Sequence, residues 1–228
     1  VLAAAEVDFD IVERSKTGDP ERQGFIIGLW SSGRAVLRRI GLSEEFDAHA
    51  TALHEAVFAN GAGKILKRVS YRRLENTDGA GLASIKRRDL YALLSKDVAK
   101  FIRFGVMPKA ITQRGDVVTV LFCDESTGTY DVVVGADGFK SFVREHCFQN
   151  HIESFTDWRV WCTWIPQAFE FKNTLTAYVE PRELGVVVHT NDAAMVWLVT
   201  PTDHTLWDTE SDRIERLTKH FSDLKTLV

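Results

Sequence analysis

At 228 residues and 25.7 kDa the chain holds one large domain or two small ones. Hydrophobic residues make up 45% and charged residues 26%, which excludes disordered and fibrous classes. With 28 basic against 32 acidic residues, the net charge of -4 leaves no basic surplus to hold nucleic acid or an anionic membrane. The longest apolar runs, such as Phe25 to Trp30 and Gly185 to Val188, are too short to span a bilayer. Cys123, Cys147 and Cys162 form an odd set without metal-ligand spacing, which suits a reducing compartment and a cytoplasmic location.

In chain order, Val1 to Glu6 reads as the tail of a helix, followed by a short β-rich run, Phe9 to Glu13, and a breaker cluster over Lys16 to Pro20. Helix, turn and strand in this order make the second half of a βαβ unit. Gly24 to Trp30 is an apolar loop or strand. Ser31 or Ser32 is placed to cap a helix that turns Val36, Leu37 and Ile40 inward and stops at Gly41. Leu90, Leu93, Leu94, Val98 and Phe101 give residues 89–101 an amphipathic helical period.

Residues 117–122 and 130–134 read as two strands flanking a turn with Asp124, Ser126 and Gly128. The β-branched run Val132 to Val134 is expected to be a strand buried on both faces of a parallel sheet. Beyond residue 150, β-like runs at 158–165, 174–180, 185–190 and 194–200 replace helices. Five of the six tryptophans fall there, so a mainly antiparallel sheet is expected. The boundary is placed at 150, with a nucleotide-binding α/β part over 1–150 and a β-sheet part over 151–228. Residues 214–221 regain a helical period and then stop. Both chain ends are therefore expected to be those of a fragment.

Two segments carry chemistry. Glu13, at the end of a second strand, is placed to accept both hydroxyls of an adenosine ribose, although a solvated strand-end carboxylate fits the residue better when it is taken alone. Val133 to Arg144 runs from a strand through Gly135-Ala136-Asp137-Gly138 into a helix start holding Ser141. Glycines let the backbone turn sharply there, and a helix start favours an oxyanion. An ordinary Asp-Gly turn accounts for four of those residues, not for the whole string. Arg87 can make bidentate bonds to phosphate or to a ring carbonyl, but Lys86 and Arg88 beside it also suit a solvated basic face. Arg144 is expected to brace the turn through a salt bridge. The seven histidines show no zinc-like spacing, and no Gly-x-Ser-x-Gly elbow is present. Cys162 is expected to be packed in the interior, as are Trp158, Trp161 and Trp164, with one of these lining a pocket.

Asp137-Gly138-x-x-Ser141-x-Val143-Arg144 resembles the Asp-Gly motif of the FAD-dependent aromatic-ring monooxygenases, the para-hydroxybenzoate hydroxylase-like family. Phe9 to Arg14 is similar to that family's second strand ending in a ribose-binding Glu. Ile85 to Leu90 is similar to its Arg-x-x-Leu helix start, with Arg87 as the matching arginine. Gly24 to Leu42 resembles the stretch that passes the flavin. The family's N-terminal Gly-x-Gly-x-x-Gly turn and its C-terminal Gly-Asp segment do not occur in this sequence.

The resemblance implies a Rossmann-like, three-layer α/β FAD-binding domain, here incomplete, joined to a mainly antiparallel β-sheet substrate domain. It implies FAD as cofactor, NADH or NADPH as co-substrate, and hydroxylation or epoxidation of a small organic substrate, aromatic ones included. Cofactor contacts would come from Glu13, Arg14, Arg87, Gly135, Asp137 and Gly138. No catalytic residue is assigned and no metal is expected; the isolated fragment is expected to be inactive. Two other readings stand beside this one: an FAD-dependent dehydrogenase or reductase, and an inactive remnant acting as a binding module.

Overall fold

A computed structural model describes residues 1–17, 24–72, 81–148, 154–165, 173–190, 192–202, 209 and 211–221. The fold is mixed α/β with largely antiparallel sheets. Two compact units interleave along the chain: Val1–Asp19 with Lys96–Ser154, and Pro20–Ser95 with Phe155–Val228.

In the first unit, β1 (Ile11–Glu13) pairs in parallel with β7 (Ile102–Phe104), Glu13 opposite Phe104. Two more backbone bonds lengthen this ladder, Val106 N–H to Glu13 O at 3.1 Å and Gly105 N–H to Ser15 O at 2.8 Å. The strands β8 (Pro108–Arg114), β9 (Val117–Phe122) and β10 (Thr127–Tyr130) form an antiparallel meander. Val106, Val120 and Phe122 make a small core, against which Val12, Ile111, Tyr130 and Val133 pack. The helix Phe142–Cys147 lies on β8.

The strand expected over 130–134 ends at Tyr130. Among the described residues, 132–138 pair with no strand, and Val132 and Val134 are 73% and 79% exposed. Only Val133, between them, turns inward. The β-branched run therefore marks an extended segment with one half-buried side chain, not a strand covered on both faces. A β pattern specifies extended backbone, but a ladder also needs a neighbour, and the sequence of one strand does not name it.

The second unit contains two sheets. One is antiparallel, β2 (Ile26–Leu29), β6 (Leu82–Lys86) and β3 (Thr51–Leu53). The other has six strands in the order β11-β14-β13-β12-β4-β5. Its members β11 (Trp158–Ile165), β12 (Thr174–Glu180), β13 (Glu183–His189) and β14 (Ala194–Pro201) are antiparallel to one another. These match the four runs expected after residue 150. The sheet also takes in β4 (Glu55–Ala59), parallel to β12, and β5 (Ile65–Ser70), both from the first third of the chain.

One face of the six-stranded sheet packs on the smaller sheet. Ile26, Leu53 and Leu82 meet Ala177, Val186, Val188 and Met195, all at most 7% exposed. Each large apolar side chain so buried contributes about 1.5–3 kcal/mol. A second core, Leu37, Phe46, Ala83, Ile85 and Leu93, seats the helices Ser31–Arg39, Ser43–His49 and Arg87–Ser95. Arg87–Ser95 is shorter than the 89–101 period implied, with a separate 3-10 turn at Ala99–Phe101. The residue capping Ser31–Arg39 is Trp30, not a serine, and its side chain makes no cap bond. Gly41 follows that helix at φ +77, a conformation that costs a glycine little. The last helix is Arg213–His220, with Phe221 fully buried against Trp161. Trp207 lies outside the described residues.

Candidate functional site

Glu13 ends β1, and its carboxylate turns back on its own loop: Ser15 N–H donates to Oε1 at 2.7 Å. Its other oxygen accepts no bond among the described residues. The side chain is exposed, as is that of Arg14. A strand-end carboxylate fixed by its backbone ladder and by one loop N–H, with a second oxygen in reserve, has the equipment to take a ribose hydroxyl.

The Asp-Gly turn is held by hydrogen bonds among its own residues. The Ser141 hydroxyl donates to Asp137 Oδ1, and Val143 N–H donates to Oδ2 at 3.1 Å. Ser141 in turn caps the helix Phe142–Cys147 by accepting from Arg144 N–H at 3.0 Å. Partial burial works against the ionised Asp137. Bonds from the Ser141 hydroxyl and from the backbone N–H groups of Val143, Asp137 and Phe142 outweigh it and hold the carboxyl below its ordinary value. Asp137 thus secures the helix start. The Arg144 guanidinium donates to the Phe139 carbonyl, bracing the same turn through a hydrogen bond.

The two glycines do separate jobs. Gly138 sits at φ +84 with open space around its Cα, so the turn itself requires it. Gly135 makes room for the helix: a Cβ there would lie 2.7 Å from Val143 Cβ.

In the second unit, two stretches far apart in sequence meet. Arg87 N–H donates to Phe25 O at 3.0 Å, and the Arg87 side chain lies along Gly24, where a Cβ would fall 3.0 Å from both its Cβ and Cδ. The guanidinium stands 6.0 Å from the Phe25 ring centroid. The basic trio resolves into three roles. Lys86 pairs with Asp192, Arg88 with its neighbour Asp89, and Arg87 is directed to the Gly24–Phe25 segment. Beside that segment is a cleft of about 260 Å³ lined by Gly24, Phe25, Cys162, Thr163, Trp164 and Met195. Trp164 Nε1–H donates to Gly24 O at 3.1 Å, and Ile26 N–H donates to Met195 Sδ at 3.4 Å.

Cys162 is exposed, not packed inside, because β11 is the edge strand of its sheet and this residue looks into the cleft. Partial burial still pushes its thiol up, away from the reactive thiolate. Trp158 is 51% exposed, so of the three β11 tryptophans only Trp161 and Trp164 are half-buried. Gly24 and Met195 had no individual signal. Gly24 was legible only as part of an apolar Gly-x-x segment, and Met195 as one strand residue among many.

The sequence profile of the FAD binding domain family matches residues 1–223, so the chain belongs to that family. Among curated relatives it is 27% identical over 150 residues to the FAD-dependent monooxygenase prhF of Penicillium brasilianum, covering 65% of this chain and 31% of that protein. It is 24% identical over 197 residues to 6-hydroxynicotinate 3-monooxygenase of Bordetella bronchiseptica, covering 82% and 51%. The chain thus spans between about a third and a half of the length of these relatives. Its fold matches that of Klebsiella pneumoniae HpxO complexed with FAD and uric acid, with a TM-score of 0.86 and 17% identity, over 97% of this chain and 57% of that one. No helix among the described residues is long and apolar enough to cross a membrane.

Proposed function

We propose that this chain is the FAD-holding part of a flavoprotein monooxygenase that hydroxylates or epoxidises a small organic substrate, aromatic ones included. The observation that carries the reading is the seating of Arg87 on Gly24 and Phe25. These are two of the segments that resemble flavin-contacting stretches, and the fold lays the Arg87 stem of one along Gly24 of the other, with Arg87 N–H donating to Phe25 O. FAD, when bound, would supply the redox chemistry, with NADH or NADPH as the source of hydride and O2 as the source of the oxygen atom for the substrate.

The residues present suit that group. Glu13 accepts ribose hydroxyls through the oxygen its own loop does not use. Arg87 offers donors to the pyrophosphate or to a ring carbonyl, and Arg14 adds a second cation next to Glu13. Asp137 acts behind the contact surface: with Gly135 and Gly138 it fixes the turn and the helix start that follows it. Cofactor contacts are assigned to residues 1–150 and the substrate-facing surface to the sheet strands of 151–228. Three free thiols are in keeping with the cytoplasm.

Titrating the chain with FAD and following flavin fluorescence tests the assignment. Saturable binding is expected, weakened at least about tenfold by Arg87→Ala, since a hydrogen bond to a charged group is worth about 1.5–3 kcal/mol. Equal affinity in both proteins would remove Arg87 from the site. NAD(P)H-dependent O2 uptake by the whole flavoprotein then separates a monooxygenase from a dehydrogenase.

A further inference from the structure

Trp164 forms one wall of the cleft beside Gly24, and one bond does not fix an indole. Its Nε1–H donates to Gly24 O as a first polar restraint, beside the packing of part of the ring against the core between the two sheets. The second restraint comes from Lys86, whose ammonium stands 5.6 Å from the Trp164 ring centroid, within cation–π range. That ammonium is itself directed. It donates to Asp192 Oδ2 at 2.5 Å, and the Lys86 side chain is only 14% exposed.

Asp192 is pre-set for the task. It sits in the turn joining β13 to β14, where the Thr190 hydroxyl donates to its Oδ1 at 3.0 Å. Thr190 N–H and Ala193 O close the same turn at 2.8 Å. Bonds from Lys86 and from Thr190 hold the Asp192 carboxyl below its usual range, against a smaller effect of burial. With the Asp192 side chain 66% exposed, solvent screening leaves the ion pair little worth as a stabiliser. What the pair fixes is the position of a cation.

From this geometry we infer that Lys86 and Asp192 are positioning residues that lock the Trp164 ring as the wall of the cleft and so set the shape offered to a planar ligand. The inference rests on the reading of that cleft as facing flavin or substrate. Lys86 precedes Arg87 directly, so one strand end delivers a residue to the wall and the next to Gly24. Removing the charge frees the indole to pivot and leaves the fold in place.

The test isolates Trp164 by subtracting, for each protein, the emission of the same protein carrying Trp164→Phe. Acrylamide quenching of the Trp164 component is expected to rise about two- to fivefold in Lys86→Met, the range a cation–π contact at a partly exposed site can support. Lys86→Arg should restore it, and Asp192→Asn should move it in the same direction as Lys86→Met. A Trp164 component unchanged in Lys86→Met and Asp192→Asn overturns the inference. So does a Lys86→Met effect that Lys86→Arg fails to restore, for then the stem and not the charge is at work. If Lys86→Met does not fold, Asp192→Asn, at an exposed position, decides alone. FAD affinity is measured on the same samples. Wild-type protein that binds no FAD defeats the functional reading, while the Trp164 signal still decides the clamp.

Discussion

Gly135 and Val143 approach so closely that a methyl group on the glycine would lie 2.7 Å from Val143 Cβ and 2.8 Å from its Cγ1. The glycine before the Asp-Gly turn is thus required by the helix that follows it. Gly135→Ala should cost about 1–3 kcal/mol of stability through overpacking. Gly135→Ala combined with Val143→Ala should recover only part of that loss, because Cγ1 and Cγ2 are then gone while the Cβ at 2.7 Å remains. Denaturant melts of the three variants check this. Additive losses would show that the crowding lies elsewhere.

Asp137 is held ionised by the helix start it caps, and this gives the turn a pH dependence. Its carboxyl is depressed in the folded protein below the ordinary 3.8. Its contribution is therefore fully present above that value and is lost as pH falls through the lower, folded value. Asp137→Ala should cost roughly 0.5–2 kcal/mol at neutral pH, as loss of a capping acceptor does. The gap between wild type and variant should close on acidification below pH 4, read from thermal melts at a series of pH values. A gap constant with pH would mean that the carboxylate charge plays no part.

The sequence and the structure agree most where the signal is local. The four strands after residue 150 are legible because each carries its own β period and turn residues, and Arg144 as a brace follows from its place after a cap. The partners of these strands are not legible. That β4 lies beside β12 rests on pairing across more than a hundred residues, and nothing in Glu55–Ala59 alone announces it. The run Val132 to Val134 misleads for the same reason. Cys162 looked interior because its strand is apolar, but edge or centre is a property of the sheet. The Arg87–Gly24 contact was half visible: each segment had its own motif, and only the fold joined them.

Tyr130 donates to Asp10 Oδ2 at 2.7 Å. Burial, then the bond to this carboxylate and its charge, push the phenol up to about 12, against a smaller opposing pull from Arg103. Of the four tyrosines, Tyr130 is expected to ionise last in an ultraviolet titration, and Tyr130→Phe should remove that final step. Because the folded value lies above the unfolded one, the contact supports stability below pH 10 and is lost as pH rises towards 12. A final step surviving in Tyr130→Phe would assign it to another tyrosine.

Glu13 and Arg144 offer the sharpest separation between binding and bracing, because both are charged and both belong to the same unit. Glu13→Ala removes an acceptor for ribose hydroxyls, and each such bond to a charged group is worth about 1.5–3 kcal/mol. A loss of even 2 kcal/mol raises the FAD dissociation constant about thirtyfold. The variant also frees Ser15 N–H, but in an exposed loop water replaces that bond at little cost. Arg144→Ala instead removes the guanidinium that donates to the Phe139 carbonyl. It should lower the melting temperature while leaving FAD affinity within a few-fold of wild type, since the side chain holds the turn from behind. Flavin-fluorescence titration and a thermal melt of both variants give the two readouts. Equal FAD affinity in wild type and Glu13→Ala would make Glu13 a solvated strand-end carboxylate, its bond to Ser15 a feature of the loop alone. An Arg144→Ala protein that melts normally but binds FAD weakly would move that residue from the brace to the contact surface.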